Sequence, residues 1–278
     1  MTICVAVKVH DCVVFAADSA TSLTGIDELG APAVINVYSH GNKVFNLVDG
    51  HPVAAMTCGM GNIGKSSISS LAKDFRRQLR AEGFGEKAFT IGDVAQRVKE
   101  FLFDQTYLAL PEQPAGAHSL EFFIGGYGSD GIDAELWKVV IVNGECVGPE
   151  QQMSDQDAFV VWAGQPEALN RLLLGYSGNV LSALIAGGLE AEKLDGVEQL
   201  IREHTATPLV DSPMPTGDAI ALADFLVDVS KRYVHFLHGA DTVGGDTDIA
   251  TVTRYEGFKW IRRKHFYPRN LNMETDHA

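Results

Sequence analysis

Three polar residues near the start of the chain stand at the ends of apolar runs. Thr2 precedes the run 3–9, Asp18 ends the run 12–17, and Lys43 begins a third run. Because burying a charge costs free energy unless the charge is paired, we expect the Asp18 carboxylate and the Lys43 ammonium to meet. Their spacing alone leaves two interpretations open: a structural ion pair at strand ends, and a charged pair beside a reactive group.

Thr2 has the chemistry of a nucleophile that carries its own base. Threonine is small, so we expect an aminopeptidase to remove Met1 and leave Thr2 with a free α-amine and a hydroxyl. An α-amine with an ordinary pKa of about 7.7 to 8.0 can accept the hydroxyl proton near neutral pH. The β-branched run that follows Thr2 indicates that this end of the chain is fixed inside the structure.

The runs around these residues predict a β-meander over the first sixty residues. His10 and Asp11 separate the first two runs and indicate a tight hairpin, so the two strands are expected to be antiparallel. Polar and Gly-rich residues at 19–32 predict a loop. Strands are predicted at residues 2–9, 12–19, 34–38, 43–48 and 53–58.

After residue 61 the apolar period becomes helical, and runs of strands and helices then follow each other in separate groups. Such segregated runs are typical of the α+β class, with antiparallel sheet covered by helices. We predict a single domain over 1–278, with an insertion at about 176–215 and a polar C-terminal tail at 264–278. Helices are predicted at 61–80, 91–102, from 166 onward, near 180–186 and 196–203, and at 218–237; strands are predicted at 120–124, 136–142, 159–162, 249–254 and 258–262.

Composition excludes several classes of function. A net charge of -14 argues against binding to nucleic acid or to an anionic membrane surface. The four cysteines form no CxxC pair, and the nine histidines have no ligand spacing, so we expect no metal, no cofactor and no disulfide framework. No signal peptide and no apolar run of membrane-spanning length is recognised, which predicts a cytoplasmic protein.

Several stretches carry a resemblance to a known family. The first sixty residues contain Thr2 ahead of alternating apolar residues, and then Phe15-Ala16-Ala17-Asp18-Ser19, Gly41-Asn42-Lys43-Val44-Phe45 and Thr57-Cys58-Gly59. Farther along, in the family's order, come Gly125-Gly126-Tyr127, Gly164, and Val243-Gly244-Gly245-Asp246 before the strand at 249–252. Together these stretches resemble the proteasome β-subunit and HslV family of N-terminal-nucleophile hydrolases.

The resemblance implies a four-layer αββα sandwich that assembles into a homo-oligomeric ring and hydrolyses peptides or unfolded proteins inside it. It leaves open whether an ATPase partner feeds the ring. Thr2 would attack the carbonyl, Lys43 would tune the α-amine, and Asp18 would hold Lys43. Gly59 would donate its N–H to the oxyanion. The residues expected to border the substrate pocket are Thr21, Phe45, Thr57 and Gly61.

The chain departs from the family pattern around this trio. Ala163-Gly164-Gln165 stands where many relatives place a serine, and Ala20 stands where an arginine often follows the Asp-Ser pair. Asp241 is the candidate for the family's later supporting aspartate, although it lies about one residue too close to Gly244. These differences keep a second hypothesis open, a catalytically inactive ring scaffold.

A competing motif lies in the segment 59–66, whose residues match the P-loop formula with Lys65 and Ser66. A P-loop needs a parallel sheet with crossover helices, whereas closely spaced hairpins precede this segment. Nucleotide binding is therefore the less favoured alternative, and the segment is instead expected to start the first helix. Cys58, next to Gly59, is interpreted as a small buried apolar residue rather than a reactive thiol.

Overall fold

The computed structural model describes residues 2–26, 32–112, 114 and 118–264 of the 278-residue chain. These residues form a mixed α+β protein with antiparallel sheets and helices, so the predicted α+β class is confirmed. The strands are β1 (Ile3–Lys8), β2 (Cys12–Ala17), β3 (Thr21–Ile26), β4 (Pro32–Tyr38), β5 (Val44–Asn46), β6 (Val53–Gly59), β7 (Asn62–Ile63), β8 (Ser66–Ser67), β9 (Ser119–Gly126), β10 (Glu135–Val142), β11 (Glu145–Gln151), β12 (Phe159–Gly164), β13 (Asp248–Thr253) and β14 (Gly257–Arg262). The α-helices are α1 (Ile68–Ala81), α2 (Ile91–Lys99), α3 (Glu167–Leu169), α4 (Val180–Ala186), α5 (Leu194–Thr205) and α6 (Thr216–His235).

Two five-stranded sheets organise the fold. The first has the strand order β12-β1-β2-β13-β14, and the second has the order β11-β10-β9-β6-β5. Neighbouring strands in both sheets are antiparallel. The predicted hairpin is present, since β1 pairs with β2 in a register that sets Cys4 opposite Ala17. This hairpin lies inside the first sheet, with β12 and β13 on its two sides.

Apart from Lys8 at the end of β1, strands β1 and β2 are apolar because both of their faces are buried. Successive side chains of a strand point to opposite faces. Cys4 and Ala6 pack in a cluster with residues of the second sheet, while Ile3 and Val5 pack in another cluster with residues of α6. A third cluster joins the second sheet to α1 and α2. The start of the chain is therefore held at the centre of the protein.

Helix α1 shows how local sequence fixes an element beside the site described below. Its buried residues recur at helical spacing, with Ile68, Leu71 and Phe75 among them. The Ser67 hydroxyl caps the helix by accepting a hydrogen bond from the N–H of Ser70 at 3.1 Å. The helix therefore begins at Ile68, and the prediction that it starts near residue 61 was wrong.

The first sixty residues do not form one meander. The segment 19–32, predicted as a loop, contains β3, which pairs with β4 in a ribbon of its own. Strands β5 and β6 belong to the second sheet rather than to the sheet of β1 and β2. The segment 62–67, predicted to begin a helix, forms the small β7–β8 hairpin instead.

The region 176–215 contains α4 and α5, close to the two helices predicted there. Neither helix has a buried residue. Helix α6 follows at Thr216–His235, near the predicted 218–237. The first residue of the predicted polar tail, Lys264, is buried at 8% exposure, and the rest of that tail lies outside the described residues. In the described part of the chain, every helix is too short or too polar to cross a membrane.

Candidate active site

The Asp18 and Lys43 side chains meet, as charge burial demands. The Lys43 Nζ atom lies 2.6 Å from the Asp18 Oδ1 atom, and both side chains are buried. Lys43 also donates a hydrogen bond of 2.5 Å to the carbonyl of Ala20. Burial lowers the pKa of the Lys43 ammonium from its ordinary value, and the charge and hydrogen bond of Asp18 act in the opposite direction.

Backbone donors fix the Asp18 carboxylate in place. Its Oδ1 atom accepts the N–H of Ile3 at 3.0 Å, and its Oδ2 atom accepts the N–H groups of Ala20 at 3.1 Å and Gly244 at 3.0 Å. These three donors hold both carboxylate oxygens in position. One carboxylate oxygen therefore links the residue that follows Thr2 to the Lys43 ammonium.

Thr2 is anchored on the other side of its peptide. Its carbonyl accepts the N–H of Gln165 at 2.7 Å, next to Gly164, which pairs with Ile3. Gly164 has a φ of 104°, and a Cβ atom there would lie 1.9 Å from the carbonyl oxygen of Thr2. Only glycine fits this approach. Gly164 and Gln165 thus support Thr2 through backbone contacts.

A cavity of about 530 Å³ opens over Thr2 and Lys43. Its wall combines the start of the chain, the end of β6 and the first residues of α1. Hydroxyl groups are frequent in the wall, and among the described residues that line it none is Asp or Glu. The predicted site residues among its lining are Thr2, Thr21, Lys43, Thr57, Gly59 and Gly61.

The N–H of Gly59 points toward this cavity. Successive N–H groups of an antiparallel strand point to alternate sides. The N–H of Thr57 donates to Lys43 on one side at 3.0 Å, and the N–H of Met60 donates to Ser119 on the other at 2.8 Å. The alternation places the N–H of Gly59 on the Lys43 side, where the cavity lies.

Gly59→Ala is expected to lower the free energy of unfolding by about 1–3 kcal/mol. Gly59 has a φ of 93°, and a Cβ atom there would lie 2.1 Å from the carbonyl oxygen of Ser119. Urea unfolding measures the change. Gly61→Ala is the matched control, because its Cβ atom would meet only Thr21 Cγ2, at 3.4 Å. Equal stability of the two variants would contradict the strain assigned to Gly59.

Two predicted site residues lie away from the cavity wall. Phe45 is 7% exposed and packs below it, with its ring stacked on Phe122 at a centroid distance of 6.1 Å. Asp241 is exposed and lies within hydrogen-bond distance of His235, with 2.9 Å between Oδ2 and Nδ1, rather than among the hydrogen-bond partners of Asp18. Phe45 and Asp241 therefore lie outside the cavity lining.

A second buried ion pair lies behind the first and was missed by sequence reasoning. The Lys264 Nζ atom contacts Asp248 Oδ2 and donates a 2.7 Å hydrogen bond to the Ser19 hydroxyl. Both charged side chains are 2% exposed. The available signal was Asp248 at the head of the otherwise apolar strand β13, since a buried carboxylate requires a partner.

Two thiols near the site, those of Cys4 and Cys58, are buried. Cys58 is 4% exposed and lines the cavity, with its Sγ atom 3.8 Å from Glu121 Oε1. Contact with Cys58, followed by burial, raises the pKa of the Cys4 thiol well above its ordinary value. Cys4 therefore stays protonated. Among the described residues, no group of three His, Cys, Asp or Glu side chains is placed to hold a metal ion.

The P-loop interpretation conflicts with the sheet around segment 59–66. Strand β6 lies between β5 and β9 and is antiparallel to both, whereas a P-loop follows a parallel strand. The residues after β6 turn into the β7–β8 hairpin, where Lys65 is exposed. Gly59 instead ends a strand at the cavity.

Comparisons with known proteins add no relative. No protein-family model matches the chain. No curated protein matches it at a significant level. Function is therefore inferred from the geometry and chemistry of the site.

Proposed function

We propose that this protein is an N-terminal threonine hydrolase that cleaves peptide bonds, with Thr2 exposed by removal of Met1. The observation that carries the proposal is the carboxylate of Asp18. One of its oxygens accepts both the N–H of Ile3, directly after Thr2, and the ammonium of Lys43. A buried cation and the start of the chain are thereby held together on the wall of one cavity.

Thr2 performs both nucleophilic and acid–base steps in this proposal. Its α-amine takes the hydroxyl proton, directly or through water, as Oγ bonds to the scissile carbonyl carbon. The amine then returns a proton to the leaving nitrogen as the carbon–nitrogen bond breaks. Water attacks the resulting ester and gives a proton to the amine. The amine passes this proton to Oγ as the carbon–Oγ bond breaks, which releases the acid product and regenerates Thr2.

Lys43 contributes to catalysis in this proposal through its positive charge. A cation near an amine disfavours its ammonium form, so Lys43 lowers the pKa of the Thr2 amine and favours the neutral base. The same cation stabilises the developing alkoxide. A purely structural ion pair has no requirement to face a cavity, but Lys43 lines this one together with Thr2.

Gly59 is assigned as the donor to the oxyanion. Its N–H points to the cavity side of β6, and its lack of a side chain allows a substrate to approach the backbone. Preorganised backbone donors of this kind stabilise the tetrahedral intermediate. Thr21, Thr57 and Gly61 on the same wall are proposed to contact the peptide.

The packing supports a four-layer αββα order for this fold. One cluster joins α6 to the first sheet, a second joins the two sheets, and a third joins the second sheet to α1 and α2. The resemblance to the proteasome β-subunit and HslV family is consistent with this order. By the same resemblance, we propose a cytoplasmic homo-oligomeric ring that acts on peptides or unfolded proteins.

Hydrolysis of N-acylated peptides that carry a fluorogenic amide tests the proposal. A set of peptides differing in the residue before the amide should include substrates that release the fluorophore. The matched control is the same chain with an uncleaved extension before Thr2, which blocks the amine and should release none. Equal release by both proteins would contradict the role of the Thr2 amine.

A further inference from the structure

The buried pair Lys264–Asp248 is hydrogen-bonded to the segment 18–20, which also binds the Lys43 ammonium. The Lys264 ammonium contacts Asp248 and donates to the hydroxyl of Ser19 at 2.7 Å, while the N–H of Lys264 donates to Asp248 Oδ1 at 3.0 Å. The Ser19 hydroxyl in turn donates to the carbonyl of Asp246. The Ser19 hydroxyl therefore donates its one proton to Asp246 and accepts a hydrogen bond from Lys264. These two hydrogen bonds fix the orientation of the hydroxyl.

Residues 18–20 connect the Lys264–Asp248 pair to the proposed site. The N–H groups of Ser19 and Ala20 donate to the carbonyl of Gly244 at 2.9 and 3.0 Å, and the N–H of Gly244 donates back to Asp18 at 3.0 Å. The carbonyl of Ala20 then accepts the Lys43 ammonium at 2.5 Å. A displacement of this segment would therefore move two acceptors of Lys43, the Asp18 carboxylate and the Ala20 carbonyl.

The turn before β5 depends on the same segment. The carbonyl of Ser19 accepts the N–H of Gly41 at 2.8 Å, two residues before Lys43. Gly245, with a φ of 72°, packs against Ser39, where a Cβ atom would lie 2.6 Å from the carbonyl oxygen. Ser19 is thus hydrogen-bonded to Gly244 and to Gly41, in the turn that precedes Lys43.

We propose that Lys264 is a positioning residue for the reaction, which acts through Ser19 to hold the backbone that orients Lys43. The inference rests on the proposed function for its catalytic consequence. Its structural part, that Lys264 holds residues 18–20, is independent of whether Thr2 reacts. The distances favour this role over a simple tie at the end of β14, because Lys264 bonds the residue between Asp18 and Ala20.

Two variants remove the hydrogen bond between Lys264 and Ser19 in different ways. Ser19→Ala removes the hydroxyl and keeps the Lys264–Asp248 pair. Lys264→Met combined with Asp248→Asn removes both charges, so that no carboxylate is left buried alone. Arg262→Met is the matched control, because it breaks a neighbouring ion pair with Asp224, at 2.8 and 2.9 Å, without touching Ser19.

Hydrogen exchange of the peptide spanning residues 18–23 and peptide-hydrolysis kinetics provide the test. Both test variants should exchange the Ser19 and Ala20 amides about tenfold faster than wild type. They should also lower kcat by about 10- to 100-fold, with KM changed less than about twofold. The Arg262→Met control should change neither quantity.

Exchange that is unchanged in both test variants would overturn the inference, whatever the activity. Faster exchange with an unchanged kcat would also overturn it, since Lys264 would then be a structural tie only. A wild-type protein that hydrolyses nothing would contradict the proposed function instead, and the exchange rates would still decide whether Lys264 holds residues 18–20.

Discussion

Thr2→Ala is expected to lower peptide hydrolysis by at least about 10³-fold, because it removes the only hydroxyl that carries an adjacent free amine in this account. The fold should survive. The anchors of Thr2 are its carbonyl and the N–H of Ile3, and the substitution keeps both. The free energy of unfolding should therefore change by less than about 1 kcal/mol. Initial rates and urea unfolding of the purified variant measure the two effects.

Thr2→Ser is the matched control for this result. Alanine and serine are both small, so Met1 removal is expected in either variant. The serine variant retains a hydroxyl beside the amine and should keep measurable hydrolysis. A Thr2→Ala protein that hydrolyses peptides within tenfold of the wild-type rate would exclude Thr2 as the nucleophile.

Lys43→Met should cost both activity and stability. The variant leaves the buried Asp18 carboxylate without its cation, which is expected to lower the free energy of unfolding by about 3–5 kcal/mol. Loss of the cation that lines the cavity with Thr2 should lower kcat by about 10²- to 10³-fold. Urea unfolding and steady-state kinetics, measured where the variant is folded, test the two effects separately.

Adding Asp18→Asn to Lys43→Met distinguishes a catalytic cation from a structural ion pair. The double variant removes the unpaired charge, so part of the lost stability should return. The recovery is incomplete, because an amide has one acceptor oxygen, so either the N–H of Ile3 or the N–H groups of Ala20 and Gly244 lose their acceptor. Activity should stay at the level of Lys43→Met. If activity returned with stability, the pair would be structural only.

The meeting of Asp18 with Lys43 could be predicted from sequence because burial of charge allows few solutions. Each residue stands at the end of an apolar run, and each needs a partner of opposite sign. The same rule holds for Asp248, but it does not identify Lys264 as the partner. Lys264 begins a polar stretch at the end of β14, and its burial depends on tertiary packing against Ser19 that no local pattern records.

The resemblance implied a pocket position for Phe45, and strand geometry explains why its side chain lies deeper. Alternate residues of a strand share a face, so Phe45 points the same way as Lys43. One step of two residues carries a side chain roughly 6–7 Å along the strand. That step takes Phe45 from the cavity wall to the cluster around Phe122.

The ribbon of β3 and β4 shows where composition misleads. Residues 19–32 are polar and Gly-rich, which is typical of loops. Strand β3 nevertheless forms because it pairs with β4, and Leu23 and Ile35 remain 47% and 61% exposed. A strand held by backbone pairing rather than by burial carries little apolar alternation, and sequence reasoning depends on that signal.

Intact-protein mass spectrometry with epoxyketones tests the central claim most directly, because these reagents bond to both the hydroxyl and the amine of an N-terminal threonine. A panel that differs in the side chain next to the epoxyketone covers different substrate preferences. We expect loss of Met1 and one adduct per chain with at least one reagent, and no adduct in Thr2→Ala. Retention of Met1, or an unmodified Thr2 with every reagent in the panel, would contradict the account and favour an inactive scaffold.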